Sequence, residues 1–67
     1  MKTIRLTRIR AGYYMYTRDN REYLIERDAA DRTRWNVDCY VNGHLDWQDC
    51  TWGGLSSVRD AIRLDIR

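Results

Sequence analysis

The chain has 67 residues, of which 43% are hydrophobic and 33% charged, and a net charge of +2. That is one small domain, near the size at which burial barely offsets chain entropy, and its mixed charges with ample apolar content exclude a disordered segment. With no apolar run of about 18 residues and no signal-peptide pattern, the expectation is a soluble, cytoplasmic protein with no membrane partner.

The charge is unevenly spread. Residues 1 to 21 carry Lys2, Arg5, Arg8, Arg10, Arg18 and Arg21 against Asp19, a balance of +5, whereas six arginines against nine carboxylates leave the remainder at −3. A basic edge and an acidic body are implied, able to meet a polyanion or to pair with a second copy, basic end to acidic surface.

The first segment, Thr3 to Thr17, alternates but changes phase: Ile4 and Leu6 share one parity, Ile9, Ala11, Tyr13 and Met15 the other. A bulge near Thr7-Arg8 would reconcile them, and Gly12 is a second place for a bend. Gly12 to Tyr16 is apolar on both faces, because side chains alternate along a strand and set Tyr14 and Tyr16 opposite Tyr13 and Met15. Such a strand suits a two-sided core, yet only one helix is available as cover. One aromatic face is therefore expected to remain for a partner or a second copy.

Asp19-Asn20 reads as a two-residue turn. It pairs Arg18 with Arg21, Tyr16 with Tyr23, Met15 with Leu24 and Tyr14 with Ile25, so Arg21 to Arg27 forms the return strand. Asp28 to Thr33 breaks the alternation as a loop. Arg34 to Tyr40 is the next strand, with Trp35, Val37 and Cys39 on one face and Asn36, Asp38 and Tyr40 on the other.

Asn42-Gly43 is a strong hairpin signal, but a two-residue turn would set Cys39, Val37 and Trp35 opposite Asp46, Gln48 and Cys50. A three-residue loop puts Leu45 and Trp47 on the apolar side instead, and because burial fixes register the longer loop is expected, followed by a short, partly solvated strand. Gly53-Gly54 ends the strands, and Ser57 with Asp60 reads as a capping-box variant opening a helix. Val58, Ala61, Ile62 and Ile66 share its apolar face, with Arg59, Arg63 and Arg67 opposite. Asp65 falls within the apolar face, which implies that the last turn leaves the sheet or frays. The fold class is α+β: a three- to four-stranded antiparallel sheet with one C-terminal helix packed on one face, in a single domain over residues 1–67.

Catalytic chemistry finds little footing. Cys39, His44 and Cys50 offer three metal ligands where structural zinc takes four, commonly in close pairs. Without a secretory signal both cysteines are expected as free thiols, and Cys39, on the apolar strand face, lacks the positive neighbour that would activate it. Gly53-Gly54 lacks the further glycine and lysine of a phosphate loop. The reading is a non-enzyme with no catalytic residue, no cofactor and no metal.

Nucleic acid is a stronger candidate ligand, because Arg5, Arg8, Arg10, Arg18 and Arg21 surround Tyr13, Tyr14 and Tyr16, a combination suited to phosphate contact plus base stacking. The run from Ile9 to Tyr16, followed by Arg18-Asp19, locally resembles the arm-site DNA-binding domain of phage-type tyrosine integrases. Those are three-stranded sheets with a helix that use the sheet against the major groove, and the likeness covers about the first hairpin. Taken whole, the chain resembles the small β-rich accessory proteins with a C-terminal helix found in actinobacterial phage genomes. The cues are the aromatic pair after Gly12, the strand Glu22-Tyr23-Leu24-Ile25-Glu26, the strand led by Trp35 and the helix led by Ser57. That layout implies a non-enzymatic product that engages host or phage proteins.

The functional expectation is a binding module acting through protein–protein contact, a homo-oligomer that joins through the tyrosine hairpin and engages a host protein. Its contact residues are Tyr13, Tyr14, Met15, Tyr16 and Tyr23, with Arg5, Arg8, Arg10 and Arg18 among them as basic contacts. DNA binding by the same hairpin is the second reading.

Overall fold

The computed structural model describes residues 3–66, so Lys2 of the basic stretch and Arg67 of the helix's arginine line lie outside the described residues. The elements are β1 (Thr7–Arg10), β2 (Tyr13–Arg18), β3 (Arg21–Arg27), β4 (Arg34–Val41), β5 (His44–Trp52) and α1 (Leu55–Ile66). The strands form one antiparallel sheet in the order β1-β2-β3-β4-β5, an α+β arrangement with its helix at the C-terminal end. Among the described residues no helix is long and apolar enough to cross a membrane.

Five strands stand where three or four were expected, because Gly12 turns the chain instead of bending it. Its φ of +75° lies in the region open to glycine at little cost. Its carbonyl accepts from the Arg27 backbone N–H at 2.8 Å, fixing the new hairpin to β3. The phase change falls between Arg8 and Arg10, where the register with β2 shifts at Ile9.

The β2–β3 pairing matches the expected register residue for residue, from Arg18 opposite Arg21 to Tyr14 opposite Ile25. The β4–β5 hairpin corrects the longer-loop expectation. Asn42 and Gly43 adopt φ of +53° and +82°, a two-residue turn that pairs Val41 with His44 and Tyr40 with Leu45. Register then shifts between Cys39 and Tyr40, and Cys39 lies opposite Trp47. Asp46 is the extra residue. Turn chemistry and burial are thus both satisfied, with Trp47 on the core side and Leu45 left on the outer face.

The helix also begins earlier than its polar signals suggest. Gly53 and Gly54, at φ of +103° and +83°, carry the chain directly from β5 into Leu55, and the Ser57 N–H donates to the Gly54 carbonyl. Ser57 is therefore inside the first turn and does not act as its cap.

One core forms on one side of the sheet. Tyr23, Ile25, Trp35, Val37 and Cys39 supply its strand layer, while Val58 and Ile62 descend from α1. Ile4 is buried with them, and the Arg59 Nε donates to the Ile4 carbonyl at 3.2 Å. The stretch before β1 is thus a second cover alongside the helix. Each large side chain so buried contributes roughly 1.5–3 kcal/mol.

Candidate interaction face

The two faces of the sheet differ in what lies over them. On the covered face, Tyr14 packs edge-on to Trp35 at 5.8 Å between ring centroids, and Tyr23 sits between Tyr16 at 5.9 Å and Trp47 at 6.2 Å. Three of the tyrosines expected to make partner contacts therefore belong to an intramolecular aromatic layer. Tyr23 has 0% exposure, which removes it from the contact set; Tyr14 and Tyr16 are half-buried against the core. The physical reason is the second cover: Ile4 and Leu6 pack against this cluster, so the helix does not have to shield the face alone.

At the end of that layer the last helical turn is anchored, against the expectation that it frays. Asp65 accepts from the Tyr23 hydroxyl at 2.5 Å, from Arg21 at 3.0 Å and from the Trp47 indole N–H at 3.0 Å. Burial, followed by the bond to this carboxylate, pushes the Tyr23 phenol well above the usual tyrosine range. The neighbouring carboxylate raises the Arg21 guanidinium likewise. Burial also pushes the Cys39 thiol up, so it is held protonated as a small hydrophobe. Cys39 and Cys50 are both free, and their strand positions put them on opposite faces of the sheet.

Nothing among the described residues lies over the other face. Register sets Met15 beside Leu24 and Asp38, then Gln48; a second row runs Thr17, Glu22, Tyr40 and Leu45, and a third Tyr13, Glu26, Asn36 and Cys50. Tyr13, Met15, Leu24 and Tyr40 are half-buried by their neighbours, and Leu45 is 49% exposed. Glu22, Glu26 and Asp38 are interleaved with them. Arg10 reaches Glu26 at 3.6 Å and lies 5.1 Å from the Tyr13 ring centroid, whereas Glu22 and Asp38 have no cationic partner among the described residues. A hollow of about 510 Å³ opens on this face, lined by Glu26, Arg34, Asn36, Asp38, Gln48, Asp49 and Cys50.

The basic residues do not form one surface. Arg10 turns to the open face beside Tyr13, Arg8 pairs with Tyr14 and shares the covered side, and Arg5 is exposed on the stretch before β1. Arg18 lines a separate cleft of about 240 Å³ with Asp19, Asn20, Arg21, Asp65 and Ile66. Of the expected contact residues, only Tyr13, Met15 and Arg10 come together on the open face. Leu24, Tyr40, Glu22, Glu26 and Asp38 join them and were not singled out. Strict alternation already set Tyr40 and Asp38 opposite Trp35, and the same parity rule applied to β3 identifies the rest.

Comparison with protein-family models, curated proteins and solved structures gives no match.

Proposed function

We propose that this chain is a non-catalytic binding module that holds a partner protein on the uncovered face of its sheet. One observation carries the reading: Tyr13, Met15, Leu24 and Tyr40 lie on central and near-central strands with no second layer over them, set among Glu22, Glu26 and Asp38. An apolar patch studded with carboxylates favours a partner segment that brings apolar side chains and cations together, and it discriminates against partners that bring anions. A host-cell protein, the partner that the accessory-protein layout implies, falls within this proposal. Face-to-face pairing of two copies does not, because it would oppose like carboxylates.

DNA binding remains the second reading, supported by the exposed Arg5 and Arg8. The carboxylates on the open face repel phosphates and weigh against its use on a duplex. The test is a titration of the isotope-labelled protein with a peptide alternating arginine and leucine, and separately with mixed duplex DNA, each at low and moderate salt. Saturable shifts centred on Leu24, Glu26, Asp38 and Tyr40 with the peptide, lost in Glu22→Lys/Glu26→Lys, support the proposal. An unresponsive face overturns it, and steeply salt-dependent binding of DNA at Arg5 and Arg8 would favour the second reading.

A further inference from the structure

The two edges of the sheet are unlike in charge and in shape. At one edge β1 is exposed along its whole length, and the bulge at Ile9 leaves that side chain 49% exposed between Arg8 and Arg10. At the other edge β5 carries Asp46 and Asp49, and between it and α1 runs a groove of about 290 Å³ lined by Trp47, Asp49, Ala61, Leu64 and Asp65. Leu64, on the rim, is 62% exposed. An apolar knob flanked by cations thus stands at one end of the molecule, and an apolar groove flanked by carboxylates at the other.

We propose that these ends fit one another in different copies, Ile9 of one molecule seating in the α1–β5 groove of the next with Arg8 facing Asp49. The contact is made by side chains. Extension of the backbone ladder is hindered at both edges, by the bulge at Ile9, by the bulge at Asp46, and by the Asp49 carboxylate, which accepts from the Cys50 N–H at 2.8 Å. The surfaces joined are different on each partner, so the association is heterologous and extends as an open chain of copies unless its rotation closes a ring. Neither Ile9 nor the groove belongs to the uncovered sheet face, which stays available along such a chain.

Two exposed-site variants test this without disturbing the core. Ile9→Asp spoils the knob and keeps the groove; Leu64→Lys spoils the groove and keeps the knob. The expected result is concentration-dependent sedimentation of the unmodified protein at low salt, weakened about tenfold or more when ionic strength shrinks the Debye length from about 30 Å to about 8 Å. Each variant alone should sediment as a monomer with an unchanged circular dichroism spectrum. Mixed in equal amounts they should form a one-to-one dimer that grows no further, because one good knob and one good groove remain. A monomeric unmodified protein at low salt, or a folded pair of variants that stay monomeric on mixing, overturns the proposal. So does a variant that still self-associates alone.

Discussion

Replacing Asp65 with alanine tests how far one carboxylate fastens the helix to the sheet. The substitution leaves the Tyr23 hydroxyl buried without an acceptor and deprives the half-buried Trp47 indole N–H of its bond. An orphaned buried donor costs about 1–3 kcal/mol, and with a smaller share for the indole the loss is about 2–4 kcal/mol. Against a total stability on the order of 3–10 kcal/mol for a chain of this size, that is a large fraction. The sharper measurement is a double-mutant cycle by urea unfolding, followed through tryptophan fluorescence. Tyr23→Phe alone forfeits a hydrogen bond to a charged group, worth about 1.5–3 kcal/mol, but in the Asp65→Ala background it removes the orphan and should be neutral or stabilising. A coupling energy near 2 kcal/mol is expected; additive effects within about 0.5 kcal/mol would refute the view that these two groups hold each other.

The pH dependence of stability has a basic and an acidic limb, set by different groups. Because the folded state raises the Tyr23 and Cys39 proton affinities, their contribution is full below the pH at which the unfolded groups ionise and is lost as pH rises. Urea unfolding should therefore show stability falling from about pH 9 upward, by at most about 1.4 kcal/mol per pH unit for each group, and Tyr23→Phe should flatten the part above about pH 10. The acid limb has the opposite sign: hydrogen bonds hold the Asp28 and Asp31 carboxyls below the usual range, the first led by the Asp31 backbone and the second by the Thr33 hydroxyl. That stability is present above about pH 4 and lost on further acidification; Asp31→Asn should shrink the loss. Thiol labelling of the native protein should modify Cys50 and spare Cys39 until unfolding, whereas equal rates would contradict the burial of Cys39. Gly43→Ala, at a φ of +82° with open space around the new methyl group, should cost about 1–2 kcal/mol from backbone conformation alone.

The β2–β3 hairpin is legible because turn chemistry and alternation agree there: Asp19-Asn20 sets a register in which Tyr14, Met15 and Tyr16 find the apolar partners Ile25, Leu24 and Tyr23. At Asn42-Gly43 the same two signals conflict, and burial alone predicts a longer loop than the two-residue turn that forms. The chain satisfies both through the one-residue bulge at Asp46, which no local rule distinguishes from a longer loop. The role of Asp65 is hidden for a related reason. A carboxylate in the last turn interrupts the apolar stripe of the helix, and local patterning alone then implies a turn that leaves the sheet or frays. Its partners Arg21, Tyr23 and Trp47 lie 44, 42 and 18 residues away, and only the assembled sheet brings them to one point. The open face is half legible: alternation sets Asp38 and Tyr40 apart from Trp35 and puts Tyr13 and Met15 on one side of β2, but the sequence does not show that Ile4 and Leu6 cover the side of Tyr14 and Tyr16.

That placement of covers constrains what the uncovered face can meet. Both α1 and the stretch before β1 descend on the same side, and the opposite side carries Glu22 and Glu26 on β3 and Asp38 on β4, among Met15, Leu24 and Tyr40. A wholly apolar second layer would strip water from Glu22 and Asp38, which have no cationic partner among the described residues, and an unpaired buried charge costs several kcal/mol. Water alone satisfies the charges but leaves Leu24 and Met15 unburied further. Under the proposed function, a surface that supplies cations at carboxylate spacing and apolar groups between them satisfies both. Reversing Glu22 and Glu26 to lysine should therefore exchange preference from cationic to anionic apolar peptides with little change in stability. Loss of all peptide binding with no gain of the opposite class would mean that charge does not select the partner.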